Sequence, residues 1–176
     1  MIMGKRSNFE RNPRDFYATP YSAVLSLLPH LPLQTKFIEP CAGDGRLVRH
    51  IESSGGHKCV YACDIEPQAP GIDTQDVLLS AFKLPPCQMV ITNPVWRRPA
   101  LHAMIEKFRK HAPTWLLIDA GWMFTKQAKE HLPFCSKIVT VGRVIWIEGT
   151  KQSGMEDCAW YQFGKEEAQT IFIGKK

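Results

Sequence analysis

The sequence has no long hydrophobic run, and no stretch approaches the roughly twenty apolar residues that a membrane-spanning helix needs. Its first residues, 1–6, lack the apolar core of a secretory signal peptide, so we expect a protein that stays in the cytoplasm where it is made. The six cysteines show no C-x-x-C spacing. This argues against a metal site and favours buried thiols in a reducing compartment. Internal repeats and low-complexity segments are also absent.

The length and composition suit one compact domain. A chain of 176 residues with 44% hydrophobic residues can fill a single core of ordinary size. The net charge is +5, and basic residues are frequent near the N-terminus. We therefore predict a basic flexible arm over residues 1–15, followed by a single domain over residues 16–176.

Strand and helix signals alternate through the first three quarters of the chain. This alternation favours an α/β fold with a mainly parallel central sheet and helices on both faces. The predicted strands cover residues 36–41, 57–64, 72–77, 88–92 and 114–119. The predicted helices begin at the cap and first-turn pair Thr19-Pro20, at Arg46 and at Pro99, and a further one covers residues 122–132.

Beyond residue 136 the pattern changes to short β-like segments. These are residues 137–141, 144–148, 159–163 and 170–173. Consecutive strands without intervening helices predict antiparallel pairing at one edge of the sheet. A dinucleotide-binding domain would usually continue in βα units instead.

A glycine-containing turn follows the first predicted strand. The strand ends at Glu39, and Gly43 and Gly45 precede the amphipathic run 46–51. Glycine tolerates positive φ and has no Cβ, so the backbone can approach a nucleoside or amino-acid ligand closely. Two carboxylates, Glu39 and Asp44, would repel a phosphate and favour a sulfonium or ammonium group. The loop therefore predicts S-adenosylmethionine rather than a dinucleotide.

Two acids lie about twenty positions after this loop. Asp64 ends the second predicted strand, and Glu66 follows it. An acid at this position commonly accepts hydrogen bonds from ribose hydroxyls, and either residue is a candidate. The alternative is a solvated carboxylate at the end of a strand.

The segment Asn93-Pro94-Val95-Trp96 follows the fourth predicted strand, at the end where ligands bind in open α/β sheets. An exocyclic amino nitrogen is a weak nucleophile because its lone pair is delocalised into the ring. Asn93 Oδ1 and the Pro94 carbonyl oxygen are suited to accept hydrogen bonds from its two N–H groups, which returns electron density to the nitrogen. Trp96 would stack on the planar acceptor. The alternative is an Asn-Pro turn beside a core tryptophan.

Together these segments resemble the class I S-adenosylmethionine-dependent methyltransferases, and within them the phage-type enzymes that methylate the adenine N6 amino group in DNA. The family loop reads E/D-P-x-x-G-x-G, which residues 39–45 match. The catalytic tetrapeptide reads (D/N/S)-P-P-(Y/F/W), and residues 93–96 match three of its four positions, with Val95 in place of the second proline. Residues 16–20 lie where the family has an aromatic-Thr-Pro segment. The motif order is γ-like, and the likeness covers residues 15–163.

The resemblance implies a Rossmann-like methyltransferase fold, S-adenosylmethionine as cofactor, and methyl transfer to the exocyclic amino group of adenine in DNA. It implies catalytic roles for Asn93, Pro94 and Trp96. It implies cofactor contacts for Tyr17, Thr19, Glu39, Pro40, Ala42, Gly43, Gly45, Asp64, Ile65, Asp76 and Asn93. Thr19 is equally explained as a helix cap, and Asp76 as a solvated loop acid.

Basic residues lie beside the predicted acceptor pocket and in the arm, which favours nucleic acid, and DNA in particular, as the partner. These are Arg11, Arg14, Arg97 and Arg98. DNA methyltransferases with this motif order usually carry an added target-recognition region, but only thirteen residues follow Phe163. We therefore expect low sequence specificity or a partner that supplies it. Two other functions stay open. One is methylation of an RNA base or a glutamine side chain, and the other is a catalytically weak protein that binds S-adenosylmethionine.

Overall fold

The computed structural model describes residues 17–147, 149, 153–167 and 169–174. The predicted basic arm, with Arg11 and Arg14, lies outside the described residues. The helices are α1 (Tyr21–Leu25), α2 (Arg46–Glu52) and α3 (Arg98–His111). The strands are β1 (Lys36–Glu39), β2 (Lys58–Asp64), β3 (Asp73–Thr74), β4 (Met89–Thr92), β5 (Thr114–Asp119), β6 (Cys135–Arg143), β7 (Asp157–Phe163) and β8 (Ile171–Ile173).

The strands form one eight-stranded sheet in the order β3-β2-β1-β4-β5-β7-β6-β8. The pairs from β3 to β5 are all parallel. Strand β7 is antiparallel to both β5 and β6, and β8 pairs in parallel with β6. This confirms the predicted mainly parallel α/β sheet with antiparallel pairing towards its C-terminal edge.

Helices cover both faces of the sheet, as the sequence predicted. On β5, Trp115 and Leu117 join a buried cluster with residues of α1 and α2. Leu116 and Ile118 point to the other face and join the cluster beneath α3. Because β5 is buried on both faces, its sequence is almost continuously apolar rather than alternating.

The predicted helix over residues 122–132 is wrong. The structure has three 3₁₀ segments instead, at Ala120–Phe124, Lys126–Glu130 and Leu132–Phe134. The Asp119 carboxylate accepts a hydrogen bond from the Gly121 backbone N–H at 2.7 Å, which starts a tight turn. Thr125 then adopts an extended backbone, with φ −80° and ψ 151°, and interrupts helical propagation.

Two predicted strands also differ from the structure. Residues 144–147 are not a strand, and Glu148 lies outside the described residues. The Gly154 backbone N–H donates to the Val144 carbonyl oxygen at 2.7 Å, so the two ends of this loop meet across a turn and do not extend the sheet. The strand predicted over residues 72–77 is reduced to the two residues of β3.

Thr19 does not cap α1, which corrects one of the two explanations offered for it. The N-cap position is Pro20, and no side chain makes a capping hydrogen bond there. The helix covers only Tyr21–Leu25, and a 3₁₀ turn at Leu28–His30 follows it. The Thr19 hydroxyl has a different partner, described below.

Within the described ranges, none of the helices combines the length and the apolar character needed to cross a bilayer.

Trp160 and Trp115 provide a test of how α1 is held on the sheet. Both are fully buried in the same cluster, and replacement by Phe removes the same volume from each. Trp160 Nε1 donates to the Ala23 carbonyl oxygen of α1 at 2.7 Å, whereas Trp115 Nε1 has no partner among the described residues. We expect Trp160→Phe to cost about 1 kcal/mol more free energy of unfolding than Trp115→Phe. Urea denaturation measures both, and equal losses would contradict this role of the bond.

Candidate active site

Parallel pairing brings the two sequence motifs to one edge of the sheet. Strand β1 pairs with β4, with Phe37 opposite Met89 and Ile38 opposite Val90. The carboxyl ends of both strands therefore lie side by side. The loop that begins after Glu39 and the turn that begins at Asn93 are neighbours in space, although about fifty residues separate them in sequence.

The glycine loop is a tight turn held against β2. Gly43 and Gly45 have positive φ values of 53° and 74°, which L side chains rarely adopt. The Gly45 backbone N–H donates to the Ala42 carbonyl oxygen at 2.7 Å, and the Ala42 N–H donates to the Cys63 carbonyl oxygen of β2 at 2.9 Å. A Cβ at Gly45 would lie 3.2 Å from Arg49 Nη1. The sequence correctly predicted a turn that only glycine accommodates well.

Asp64 holds this loop in place. Its Oδ2 accepts a hydrogen bond from the Gly43 backbone N–H at 2.8 Å, and its Oδ1 accepts one from the Glu66 backbone N–H at 2.8 Å. The carboxylate thus lies beside the glycine loop, and each of its oxygens accepts a backbone hydrogen bond. Its neighbours Ile65 and Glu66 are exposed at the same edge. Ribose binding by Asp64 or Glu66 stays a prediction.

Asp76 lies in a turn just beyond β3. Its Oδ1 accepts a hydrogen bond from the Leu78 backbone N–H at 2.8 Å. The preceding residue, Gln75, donates its backbone N–H to the Asp64 carbonyl oxygen at 2.8 Å. The turn is therefore attached to the end of β2, on the same edge as the glycine loop, and a contact of Asp76 with the cofactor stays a prediction.

Glu39 is a buried acid with an unsatisfied oxygen. It is 1% exposed, and Oε2 has no hydrogen-bond partner among the described residues. Burial raises the pKa of Glu39 well above its usual range, and the charges of Asp64 and Asp44 raise it further. A buried oxygen of this kind is destabilising unless a donor reaches it. The site therefore favours a cationic hydrogen-bond donor next to the glycine loop.

Asn93 is held by the segment that precedes α1. Its side-chain Nδ2 donates to the Tyr17 carbonyl oxygen at 3.2 Å and to Thr19 Oγ1 at 3.2 Å. Thr19 is 4% exposed, and Pro94 is buried directly after Asn93. Asn93 is thus bonded to both Tyr17 and Thr19, and the sequence assigned all three residues to one site.

Trp96 belongs to an aromatic group at the edge of the site. Its Nε1 donates to the Leu117 carbonyl oxygen at 3.1 Å. Its ring lies edge-on to Trp146, with centroids 6.1 Å apart, and Trp146 is also 6.1 Å from the Tyr17 ring. We call Tyr17, Trp96 and Trp146 the aromatic group.

Sequence reasoning missed Trp146, because it assigned this residue to a strand. The Trp146 ring also packs against the Gly154 backbone, where a Cβ would lie 3.0 Å from Trp146 Nε1. The available signal was the pair Gly142 and Gly149 on either side of Trp146, in a segment with weak strand alternation. This pattern indicates a loop.

The two predicted nucleic-acid contacts in the described residues differ in environment. Arg97 is exposed at the start of α3. Arg98 lies 3.8 Å from an Asp119 carboxylate oxygen and is partly buried. Both lie after β4, beside Asn93, but Arg97 is the more available of the two for an external phosphate.

The cysteines do not form a reactive or metal-binding set. All six are free thiols, and burial raises the pKa of Cys63 to about 11 and that of Cys135 to about 12. Among the described residues, no group of three or more Cys, His, Asp or Glu side chains could hold a metal ion.

A cavity of about 340 Å³ lies beside the 3₁₀ segment Ala120–Phe124 and the end of β5. Its lining includes Phe124, Met155 and Phe172, together with the carboxylates of Asp119 and Glu156. None of the predicted cofactor or catalytic residues lines it. The candidate site is therefore an open edge of the sheet and not this cavity.

Solved structures with the same fold include three methyltransferases. A class I S-adenosylmethionine-dependent methyltransferase from Listeria monocytogenes has a TM-score of 0.55 at 11% identity, covering 87% of this chain and 62% of its own. A Pyrococcus horikoshii protein described as an RNA methyltransferase has a TM-score of 0.60 at 18% identity, covering 89% and 91%. A type I restriction-modification methyltransferase subunit from Streptococcus thermophilus has a TM-score of 0.62 at 12% identity, covering 90% and 47%.

The chain thus spans less than two thirds of the Listeria and Streptococcus structures and nearly all of the Pyrococcus structure. No protein-family model matches the sequence, and no curated protein does. At these identities the likeness defines the fold. The chain has the fold of the class I S-adenosylmethionine-dependent methyltransferases, which confirms the fold that the sequence motifs implied.

The buried Glu39 gives a prediction about pH. In the ligand-free protein, the folded state binds the Glu39 proton more tightly than the unfolded chain does, so this group makes stability fall as the pH rises above the ordinary glutamate pKa. Glu39→Gln should therefore be more stable than the wild type near neutral pH, by roughly 1–3 kcal/mol. The advantage should shrink towards about pH 4. Urea denaturation across this pH range measures it.

Glu106→Gln is the matched control with the opposite sign. Hydrogen bonds from Arg109 and Lys110 lower the pKa of Glu106 to about 2. The stability that Glu106 contributes is present above the ordinary glutamate pKa and is lost as the pH falls towards 2. This variant should therefore be less stable than the wild type at neutral pH. A Glu39→Gln variant that behaves like Glu106→Gln would show that Glu39 is already paired within the protein.

Proposed function

We propose that this protein transfers a methyl group from S-adenosylmethionine to the exocyclic amino group of adenine in DNA. One observation carries the proposal. An asparagine whose amide nitrogen is already bonded within the protein follows the strand next to β1, and β1 ends in a buried glutamate with one unpartnered carboxylate oxygen. This arrangement combines an acceptor for amino protons with a site for a cationic cofactor.

The described residues fit S-adenosylmethionine. Glu39 Oε2 is buried without a donor, and the ammonium of the methionine moiety would provide one. Gly43 and Gly45 leave no Cβ between the loop and the cofactor, while Pro40 and Ala42 form its buried base. When bound, the cofactor supplies the methyl group. The bond between sulfur and the methyl carbon breaks with its electron pair staying on sulfur, and the acceptor nitrogen bonds to that carbon. The nitrogen then releases a proton to water.

The opposite end of the cofactor would lie along β2 and β3. Asp64 ends β2 and Ile65 follows it, and Asp76 follows β3 at the same edge. In parallel sheets, ligands bind at this edge, so a nucleoside could extend from the glycine loop towards Asp76. Asp64 would then contact the ribose and Asp76 the adenine amino group.

Asn93 and Pro94 would act on the acceptor. An amino group attached to a purine gains nucleophilicity when its two N–H groups donate hydrogen bonds to fixed oxygens. Asn93 Oδ1 and the Pro94 carbonyl oxygen would accept these two hydrogen bonds and hold the nitrogen in line with the methyl group. Positioning of this kind supplies most of the rate gain when the donor is already electrophilic.

The aromatic group would hold the acceptor ring. Trp96 is fixed through its bond to Leu117, so its ring can serve as a rigid platform for a base. Trp146 and Tyr17 extend this surface next to Asn93. A base removed from a duplex is commonly stacked between such rings, which supports a nucleobase as the acceptor.

Charge supports a nucleic acid as the substrate, and we propose that it is DNA. Arg97 is exposed beside Asn93, and Arg11 and Arg14 lie in the basic N-terminal sequence. One structure with the same fold is a type I restriction-modification methyltransferase subunit. Phosphate contacts from such arginines would place the acceptor base over the site without reading its sequence.

Asn93→Ala should abolish methyl transfer and leave cofactor binding nearly intact, because its Oδ1 serves the acceptor. Mass spectrometry of nucleosides from DNA and RNA incubated with protein and cofactor measures transfer, and calorimetry measures cofactor affinity. Gln88→Ala is the matched control, since Gln88 provides a side-chain amide just before the opposite end of β4.

The outcomes of this experiment separate the possible functions. N6-methyl-2′-deoxyadenosine in digested DNA supports the proposal. If a methylated nucleoside is found in RNA and not in DNA, the substrate is RNA. Cofactor binding without transfer to any nucleic acid or protein would instead support a weakly active binding protein. A parallel loss of transfer and cofactor affinity in Asn93→Ala would contradict the role assigned to this residue.

Arg97→Ala should weaken DNA binding and reduce its dependence on salt. Removing one phosphate contact is expected to lower the slope of log affinity against log salt by about one. Lys58→Ala removes an equal charge at the amino end of β2, on the opposite edge of the sheet, and should change neither quantity. Fluorescence anisotropy with a labelled duplex at several salt concentrations measures both variants. Identical slopes for both would exclude a phosphate contact by Arg97.

A further inference from the structure

Both amide protons of Asn93 are used by the segment before α1. Nδ2 donates to the Tyr17 carbonyl oxygen and to Thr19 Oγ1, each at 3.2 Å. These partners are 76 and 74 residues away in sequence. The side-chain amide of Asn93 is therefore held by a segment that is distant in the chain but adjacent in the fold.

The Tyr17 partner determines which way the amide faces. A backbone carbonyl oxygen only accepts hydrogen bonds, so the NH₂ end of Asn93 must lie towards it. A half-turn of the amide would place Asn93 Oδ1 against the Tyr17 oxygen, where two acceptors repel. Asparagine otherwise rotates broadly about this torsion. The contact therefore directs Oδ1 away from the α1 segment.

Thr19 supplies the second acceptor, and its surroundings keep it in place. It is 4% exposed, and its side chain is β-branched, which restricts rotation about χ1. Pro20 follows it at the N-cap of α1 and fixes the local backbone. Because the helix does not use the Thr19 hydroxyl as a cap, this group is free to serve Asn93.

The geometry points to Thr19 as a positioning residue for methyl transfer, which holds the Asn93 amide so that Oδ1 faces the acceptor amino group. This inference rests on the proposed function. It differs from the cofactor contact that the sequence motif implied for Thr19. A cofactor contact would act on binding of S-adenosylmethionine, whereas a positioning role acts on turnover with cofactor bound.

Thr19→Val tests the inference because it keeps the shape and removes the hydroxyl. Asn93 would retain the Tyr17 contact, but one amide proton would lose its acceptor, so the side chain would move more freely about that contact and Oδ1 would be held less accurately. We expect kcat to fall by about ten- to a hundredfold, because a small misplacement of a group that positions the reacting atoms lowers the rate by such factors. The dissociation constant for S-adenosylmethionine should stay within about twofold of the wild type. Thr19→Ser keeps the hydroxyl and should restore most of kcat.

Thr170→Val is the control for loss of a threonine hydroxyl. Thr170 Oγ1 donates to the Cys135 carbonyl oxygen at 2.7 Å, remote from Asn93 beside β8. It should leave kcat unchanged. If Thr19→Val does not fold, as judged by circular dichroism, Thr19→Ala replaces it as the variant without a hydroxyl.

Three results would overturn the inference. These are wild-type kcat in Thr19→Val, loss of cofactor affinity with unchanged kcat at saturation, and a Thr19→Ser variant as impaired as Thr19→Val. The Asn93 side-chain NH₂ signals in nuclear magnetic resonance give a readout that needs no activity. They should shift and exchange faster in Thr19→Val. If the wild type methylates no acceptor, the proposed function fails, and unchanged Asn93 signals in Thr19→Val would then overturn the inference separately.

Discussion

The site depends on the parallel pairing of β1 with β4. This pairing places Glu39 and Asn93 at the ends of adjacent strands, so a cationic cofactor and its acceptor can meet. The register is fixed because both strands are buried on both faces, with Phe37 on one face and Ile38 on the other. A shift by one residue would turn Glu39 to the opposite face and separate the two halves of the site.

Features with a local physical cause could be predicted from the sequence. Gly43 and Gly45 have positive φ, a conformation that few other residues adopt, so their turn was evident without a structure. The apolar run Thr114–Asp119 coincides with β5 because a strand buried on both faces has no reason to alternate. Glu39 and Asn93 could be placed at one edge of the sheet because each lies at the carboxyl end of such a run, and their roles stay predictions.

Features that depend on distant contacts could not be predicted in the same way. Thr19-Pro20 has the local pattern of a helix cap, yet the Thr19 hydroxyl binds Asn93, 74 residues away. Residues 122–132 have helical periodicity, but Thr125 is extended, and the fully buried Trp122 indole donates to His102 at 3.2 Å. A distant hydrogen bond thus uses the Thr19 hydroxyl, while an extended residue and the burial of Trp122 accompany the loss of the predicted helix. Such contacts commonly override weak local propensities.

The position of Val95 shows how the fold can replace a covalent constraint. A second proline would fix φ after Pro94 through its ring, and valine does not. Val95 instead packs against the cluster beneath α3, and Trp96 contacts both core clusters and bonds to Leu117 of β5. The turn is thus held on its C-terminal side by packing and on its N-terminal side by the Asn93 amide contacts.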